Sequence, residues 1–404
     1  MTGELVTWLD AQNIDYTIVD REVVNIPDFG RLFVADLSGV GSIFRGEGDT
    51  LTFNLLESPE VLMEEGIFHV AFPFGRNWYY YDLREAFRFN ILKYIGCPKP
   101  PKHDIPFVNL GIHTPYELLN ASGSLETWCR KAQWLGHTAA GIADRNTMAA
   151  TLNIQKECSK AGLKHIFGYT LTMQHEEERV EVKVYALTDE GLHNLLRIQR
   201  AVMVDSERHV LAYGRLLACA AGCVLVFATC SVYWMTAHPG HLKRIRQGFE
   251  AVYYQVDGSE YKADRIDRER LLALQHYFEK CYDAATDSFT VEPILISDCY
   301  YPDRDDAVSK TVLNKIASGA AHEQSDDQYF KNVDEHYDTL RPLFSAKWDF
   351  DALFSRMCGH TVEIAERAEA VFETGRMFMP EYRMRPEERQ SYGDRRTMFL
   401  RLLD

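Results

Sequence analysis

The spacing of apolar and polar positions changes near residue 105 of the chain. Before that point, short apolar runs (YTIVD, RLFVADL, TLTFNLL, IFHVAFPF and NWYYYDL) are separated by turns such as RGEGDT. Runs of this kind between glycine- and aspartate-containing turns predict strands. Helical spacing predicts a short helix with Leu5, Trp8 and Leu9 on one face, and a second helix over Leu83–Ile95. Residues 1–100 are therefore predicted to form a small α+β domain.

A proline-rich segment follows this first domain. The run CPKPPKHDIP contains four prolines in ten residues. Because proline fixes φ and has no backbone N–H, such a run cannot continue a helix and favours extended backbone. We predict a linker over residues 101–106.

From residue 107 onward, strand-like and helix-like segments alternate. The runs FVNLGI, HTAAGIAD, KHIFGYTLTM, VEVKVYALT, GCVLVFAT and PILISD read as strands. Amphipathic segments lie between them, including LETWCRKAQWLG after a capping Ser124, Asn146–Ala161 and Glu190–Val202. This alternation predicts an α/β domain over residues 107–375, with functional side chains at the C-terminal ends of the strands.

The overall charge is acidic, at −15, with 44 lysines and arginines against 59 aspartates and glutamates. Phosphate binding by proteins depends on clustered basic side chains, so the balance disfavours a large face for duplex DNA. Positive charge is nevertheless concentrated in the last part of the chain. Seven arginines lie there: Arg376, Arg383, Arg385, Arg389, Arg395, Arg396 and Arg401.

The cysteines and the apolar runs indicate a cytoplasmic location. The nine cysteines are odd in number and form no C-x-x-C pair, which favours reduced thiols. No apolar run reaches the roughly 18 residues that a membrane-spanning helix needs. The N-terminal run MTGELVTWLDAQN lacks the basic and apolar regions of a signal peptide.

Several segments together resemble a known family. They are FVNLGIHTPYELLNASGSLETW, GIADRNTMAATLNI, VYALTDEGLHNLLRI, VFATC, PILISDCYYPDRDDA and TVEIAERAEAVFETGRMFMPEY. In this order they resemble the PHP (polymerase and histidinol phosphatase) domain at the front of the bacterial DNA polymerase III alpha subunit, a C-family replicative polymerase. The resemblance covers roughly residues 105–404. It implies a distorted (β/α)7 barrel, with residues 376–404 as a tail that leads toward a polymerase palm.

The resemblance also implies a cluster of divalent metal ions held by side chains at the strand ends. Such ions polarise a phosphoester and generate hydroxide from bound water. In this sequence, ligand-type residues stand at four of the matching positions: His113, Cys230, Asp298 and, as a substitute, Glu181. At five other matching positions the ligand type is lost: Gly111, Asn120, Arg145, Thr170 and Tyr300.

Arg145 changes the expectation more than any missing ligand does. It follows Asp144 at the position where the resembled motif has a histidine. A guanidinium is permanently charged, so it would repel divalent cations, and we expect it to pair with Asp298. The sequence therefore predicts no catalytic metal cluster and no cofactor. The alternative is a single Zn, Mn or Fe ion held by His113, Asp298 and Cys230.

Two other patterns have competing interpretations. Asp349-x-Asp351 has the spacing of polymerase carboxylates, but it is predicted to begin a helix. His238-Pro-Gly-His241 is predicted to be a turn that enters the helix HLKRIRQGF, with a two-histidine metal loop as the alternative. GxGxxG and P-loop patterns are absent from the sequence.

Three functional hypotheses follow. The first is a catalytically degenerate PHP-like domain that docks onto a DNA polymerase or another replisome subunit, with DNA contacted indirectly or through the arginine-rich tail. The second is a metal-dependent phosphoesterase or 3′–5′ exonuclease with altered ligands. The third is an acidic interaction protein that acts through residues 1–100. Because no palm, thumb or fingers follow residue 404 in this sequence, we expect no polymerase activity from the chain by itself.

Overall fold

The computed structural model describes residues 101–258, 268–318, 327–375 and 382–403, together with seven strands within residues 17–82. The chain divides into two compact units, Met1–Val371 and Phe372–Asp404. The two helices predicted within residues 1–100 lie outside the described residues.

The seven N-terminal strands form one sheet. They are β1 (Thr17–Asp20), β2 (Val23–Ile26), β3 (Gly30–Asp36), β4 (Thr50–Leu51), β5 (Glu60–Glu64), β6 (Ile67–Phe74) and β7 (Asn77–Asp82). Their order is β1-β2-β3-β5-β6-β7-β4, and only the β3–β5 pair is parallel. Each of the five predicted runs overlaps a strand, although only Thr50–Leu51 of TLTFNLL lies within the described residues. Strands β2 and β5 were not predicted.

A second, mixed sheet lies in the middle of the chain. It has the order β12-β10-β11-β13-β14-β17, and the short strands β8 and β9 pair beside it in parallel. Two more short strands, β15 and β16, form a hairpin before β17. The bounds are β8 (Ala139–Gly141), β9 (Lys164–Ile166), β10 (Gly168–His175), β11 (Glu178–Ala186), β12 (Val210–Ala212), β13 (Cys223–Phe227), β14 (Ala251–Val256), β15 (Tyr282–Asp283), β16 (Ser288–Phe289) and β17 (Glu292–Leu295).

Backbone hydrogen bonds connect the two ends of this arrangement through residues 109–113. Ile112 bridges Ile142, after β8, on one side and Cys299, after β17, on the other. Arg145 in turn bridges Thr170 in β10. The hydrogen bonds therefore run from β10 through β17 to residues 109–113, and back through the β8 segment to β10. This ring favours the predicted distorted barrel and brings residues 113, 145 and 298 to the same end.

Helices accompany these strands along the chain. The described helices of the first unit are Leu125–Trp134, Thr151–Ala161, Asp189–Met203, Tyr213–Leu217, Val232–Ala237, Pro239–Gly248, Arg268–Lys280, Ala307–Ser318, Val333–Leu340 and Phe350–Arg367. Those of the second unit are Pro386–Tyr392 and Arg395–Leu403. None of the helices in the described part of the chain is long and apolar enough to cross a membrane. The predicted α/β class is confirmed.

Local chemistry explains where several helices begin. The Ser124 hydroxyl accepts from the N–H of Thr127, 3.1 Å away, as predicted for a cap. Asp349 likewise accepts from the N–H of Ala352 at 3.2 Å, so the Asp349-x-Asp351 pattern begins a helix, as predicted. The helix predicted from residue 146 instead begins at Thr151. Asn146 has φ +56°, which is incompatible with a right-handed helix at that residue.

The core lies on both faces of the central sheet. Every residue of β13 is buried, which explains its unbroken apolar sequence. Val108, Leu110, Val224, Val226 and Ile294 belong to one buried cluster. The segment FVNLGI was predicted to be a strand, but only Ile112 of this segment makes a β-bridge, and the other residues are buried.

Candidate functional site

His113 lies at the centre of a buried polar network at the end of the hydrogen-bonded ring. Its side chain is 1% exposed. Nδ1 lies 2.6 Å from Oε2 of Glu117, and Nε2 lies 3.2 Å from Oδ1 of Asp298. Burial alone would lower the pKa of an imidazole, but the charge of Glu117 and the hydrogen bonds to both carboxylates raise the pKa of His113 to about 9. At neutral pH the ring is therefore protonated, and both nitrogens donate.

A buried lysine is the second partner of Asp298. Nζ of Lys183, in β11, lies 3.0 Å from Oδ2 of Asp298, and the Lys183 side chain is 0% exposed. The amide of Gln255 donates to the same carboxylate oxygen at 3.2 Å. Burial would raise the pKa of Asp298, but the Lys183 ammonium, followed by His113, holds it well below its usual range. Asp298 is thus a carboxylate that two cations already neutralise.

Arg145 pairs with Glu181, and the expected pairing of Arg145 with Asp298 was wrong. A guanidinium nitrogen of Arg145 lies 2.5 Å from Oε2 of Glu181. Burial raises the pKa of a carboxyl, but Lys183 and Arg145 together lower the pKa of Glu181. The physical reason lies in strand geometry, because Glu181 and Lys183 are two residues apart on β11 and extend from the same face. Lys183 therefore occupies the place beside Asp298.

Glu117 and Asp144 hold the loops around His113. Glu117 accepts from the Arg145 backbone N–H at 2.8 Å and from the side-chain amide of Asn120. Burial would raise the pKa of Glu117, but protonated His113 lowers it to about 2. Asp144 accepts from the N–H and the hydroxyl of Thr114, at 2.5 and 2.7 Å. Burial outweighs these bonds and raises the pKa of Asp144 to about 7.

Three of the positions where the ligand type is lost have structural roles. The Thr170 hydroxyl donates to the Ala143 carbonyl at 2.6 Å, which ties β10 to the segment after β8. The Tyr300 ring stacks on His113, with 4.3 Å between centroids. A Cβ at Gly111 would lie 2.3 Å from the Ser297 carbonyl oxygen. Position 111 therefore has no room for a histidine side chain.

An open cleft of about 450 Å³ lies beside this network. Its walls include Glu181 and Asp298 as well as Cys230. Cys230 is exposed, whereas His113 is buried. Of the four predicted ligand-type residues, His113 and Asp298 are in direct contact, and Cys230 and Glu181 line the cleft with Asp298.

The donor groups near His113 are already paired with groups of the protein, unlike the open ligands of the metal cluster that a PHP-type site implies. Ligand atoms of His113, Glu117 and Asp144 do lie within 4.8 Å of one another. However, both His113 nitrogens lie within hydrogen-bond distance of carboxylates, and both Asp144 oxygens accept hydrogen bonds from Thr114. His113, Lys183 and Arg145 supply the positive charges that neutralise the carboxylates of Glu117, Asp298 and Glu181. Each of these three carboxylates thus has a cationic side chain of the protein beside it.

Sequence reasoning missed Glu117, Asp144 and Lys183 as members of the site. Lys183 could have been found from the sequence, because VEVKVYA places charged residues at alternate positions of an otherwise apolar strand. The sequence signal for Glu117 is weaker and consists only of its position four residues after His113. Asp144 directly precedes Arg145, which the sequence did single out.

Comparisons with known proteins agree with the resemblance in the sequence. A family model described as the PHP domain matches residues 109–291. DNA polymerase III subunit alpha of Treponema pallidum is 24% identical over 311 residues, covering 69% of this chain and 24% of that protein. The same subunit of Staphylococcus epidermidis is 21% identical over 274 residues, covering 68% of this chain and 22% of that protein.

The chain matches only part of these relatives, and it also matches a solved structure over part of its length. The chain spans about a quarter of the length of these two relatives. A solved structure described as a metal-dependent phosphoesterase from Bifidobacterium adolescentis covers 62% of this chain and 99% of that chain, with 14% identity and a TM-score of 0.29.

Proposed function

We propose that the PHP domain matched by residues 109–291 is catalytically degenerate and serves as a docking part of a DNA replication assembly. The observation that carries this proposal is the buried contact of 3.0 Å between Lys183 Nζ and Asp298 Oδ2. A metal-dependent hydrolase needs its carboxylates for cations, whereas this carboxylate is neutralised by the protein itself.

The replication context comes from the relatives. Both relatives named above are DNA polymerase III alpha subunits, and the match covers about two thirds of this chain. We therefore propose that the partner is a DNA polymerase or another replisome subunit in the cytoplasm. DNA would be contacted indirectly or through the arginine-rich tail.

The tail offers chemistry suited to docking. Its last helix, Arg395–Leu403, carries three large apolar side chains that are exposed: Phe399, Leu400 and Leu402. Arg395, Arg396 and Arg401 lie on the same helix. Apolar anchors with flanking arginines are typical of the centres of protein interfaces. A partner surface with an apolar groove and acidic rim would match this helix.

Catalysis is tested with Mn²⁺. We expect no Mn²⁺-stimulated hydrolysis of bis(p-nitrophenyl) phosphate, and no 3′–5′ release of nucleotides from labelled single-stranded DNA, above the metal-only blank. The His113→Ala and Asp298→Asn variants should match the wild-type chain in both assays. Metal-stimulated release that disappears in both folded variants would overturn the proposal and favour the alternative, a phosphoesterase or exonuclease with altered ligands.

Docking is tested by measuring binding to DNA polymerase III alpha of the same cell from which the PHP region has been removed. We expect the double variant Phe399→Ser/Leu402→Ser to bind at least about tenfold more weakly than wild type, because interface anchors carry most of the binding energy. Leu272→Ser is the matched control, since Leu272 is 48% exposed on another helix. Binding that survives the tail variant but is lost without residues 1–100 would instead support the acidic interaction protein.

A further inference from the structure

Three histidines and a glutamate meet at the end of the β10–β11 hairpin. His175 is the last residue of β10, and Glu178 is the first of β11. His238 and His241 lie at the start of the helix Pro239–Gly248, where the sequence left a two-histidine metal loop open. None of these four residues belongs to the network around His113.

The three imidazole rings lie close together. The ring centroid of His175 lies 4.9 Å from that of His238 and 4.3 Å from that of His241. The centroids of His238 and His241 are 5.9 Å apart. Imidazole nitrogens bind Zn²⁺ at about 2.0–2.1 Å, so rings on one tetrahedral ion have centroids roughly 5 Å apart. The observed spacings scatter around that value.

Glu178 supplies a carboxylate donor that converges with two of the histidines. Ligand atoms of His175, Glu178 and His238 lie within 4.8 Å of one another. His238 Nε2 and Glu178 Oε2 form a hydrogen bond of 2.5 Å. A cation bound by both atoms would replace the proton of this hydrogen bond. His175 is buried, His238 is partly buried and Glu178 is exposed, which leaves an entry route from solvent.

The hairpin turn adds negative charge at the cluster. Glu176 and Glu177 connect His175 to Glu178, and Glu176 has φ +53°. Two-residue hairpin turns of this kind favour asparagine and glycine, because their residues adopt positive φ at low cost. A glutamate in this conformation is strained, and the run Glu176–Glu178 concentrates three carboxylates beside the imidazoles.

We propose that His175, Glu178 and His238 form a Zn²⁺ site at the rim of the cleft, with the His241 ring beside it. Imidazole with one carboxylate suits Zn²⁺ and Co²⁺, whereas Mg²⁺ and Ca²⁺ prefer oxygen ligands alone. These three ligands leave one position of a tetrahedral ion open, next to the His241 ring. The ion fastens the β10–β11 turn to the helices Val232–Ala237 and Pro239–Gly248.

Trp234 provides an internal reporter of this binding. Its indole N–H donates to Nδ1 of His175 at 3.2 Å. A neutral imidazole has one lone pair, and without metal that pair accepts from the indole. When His175 binds an ion, the indole hydrogen bond is lost, and binding also displaces the proton between His238 and Glu178. Trp234 fluorescence should therefore change on metal binding.

The test uses the full chain with a tag that contains no histidine, stripped by a chelator and then titrated with ZnCl₂ or CoCl₂. We expect one ion per chain, the visible absorption of tetrahedral Co²⁺, and a fluorescence change that is missing in Trp234→Phe although that variant still binds. The double variant His238→Ala/His241→Ala should lose binding by at least about 100-fold, because even indirect supports of a metal site are worth 10–100-fold.

Two further variants keep the outcome decisive. Glu178→Gln changes an exposed side chain, so it should fold and yet weaken binding by about tenfold or more. His193→Ala removes an exposed histidine on the helix Asp189–Met203 and should bind like wild type. Zinc binding absent from the wild-type chain, or equal in Glu178→Gln, the double variant and His193→Ala, would overturn the proposal.

Discussion

Replacing Lys183 with methionine is expected to lower the free energy of unfolding by about 3–5 kcal/mol, the usual cost of removing one member of a buried ion pair. Methionine nearly matches the length of lysine, so packing changes little while the ammonium is removed. Asp298 would keep only His113 as a charged partner and would no longer be fully compensated. Urea unfolding at neutral pH measures the change.

A double-mutant cycle separates the ion pair from simple packing. Lys183→Met combined with Asp298→Asn removes both charges and should recover part of the stability lost by Lys183→Met alone, because no unpaired carboxylate stays buried. A single variant that costs less than about 1 kcal/mol, in a chain whose unfolding midpoint rises with Mn²⁺, would show that metal rather than Lys183 neutralises Asp298.

Replacing Gly111 with alanine is expected to lower the free energy of unfolding by about 3 kcal/mol, at the upper end of overpacking costs. The new Cβ would lie 2.3 Å from the Ser297 carbonyl oxygen and 2.8 Å from its carbon, and these backbone atoms cannot rotate away. Gly111 permits residues 109–113 to approach the segment after β17. Histidine at this position should cost at least as much and should not restore metal binding.

Gly359→Ala is the matched control for Gly111→Ala. Gly359 is exposed within the helix Phe350–Arg367, and a Cβ there meets no atom within 4 Å. Alanine should therefore raise the free energy of unfolding by about 0.4–1 kcal/mol, because the unfolded chain loses freedom. Equal effects of the two substitutions in thermal or urea unfolding would contradict the close-approach explanation for Gly111.

Local patterns predicted most of the described elements because their information lies within short segments. The cap at Ser124, the unbroken apolar strand β13 and the helix after Asp349 each depend on a few neighbouring residues. The start of the helix at Thr151 was less accessible, because the positive φ of Asn146 depends on contacts with β10. Strands β2 and β5 were missed because their short runs contain polar residues.

Pairings in the candidate site were harder to predict because they depend on the ends of distant segments. The sequence placed Arg145, Glu181 and Asp298 among the positions that matter, and the structure brings all three to one region. It could not show that β11 presents both Glu181 and Lys183 inward, with Lys183 reaching Asp298. This contact decides how Asp298 is neutralised, since the Lys183 ammonium supplies the positive charge that a metal ion would otherwise provide.

Anomalous diffraction from crystals soaked in Mn²⁺ and, separately, in Zn²⁺ tests the loss of the metal cluster most directly. The measurement locates each ion and shows the side chains around it. We predict no anomalous peak within coordinating distance, about 2.0–2.4 Å, of Asp298, His113 or Glu117, and a Lys183–Asp298 contact that persists in both soaks. Ions bound to Asp298 and His113, with Lys183 displaced, would contradict the account.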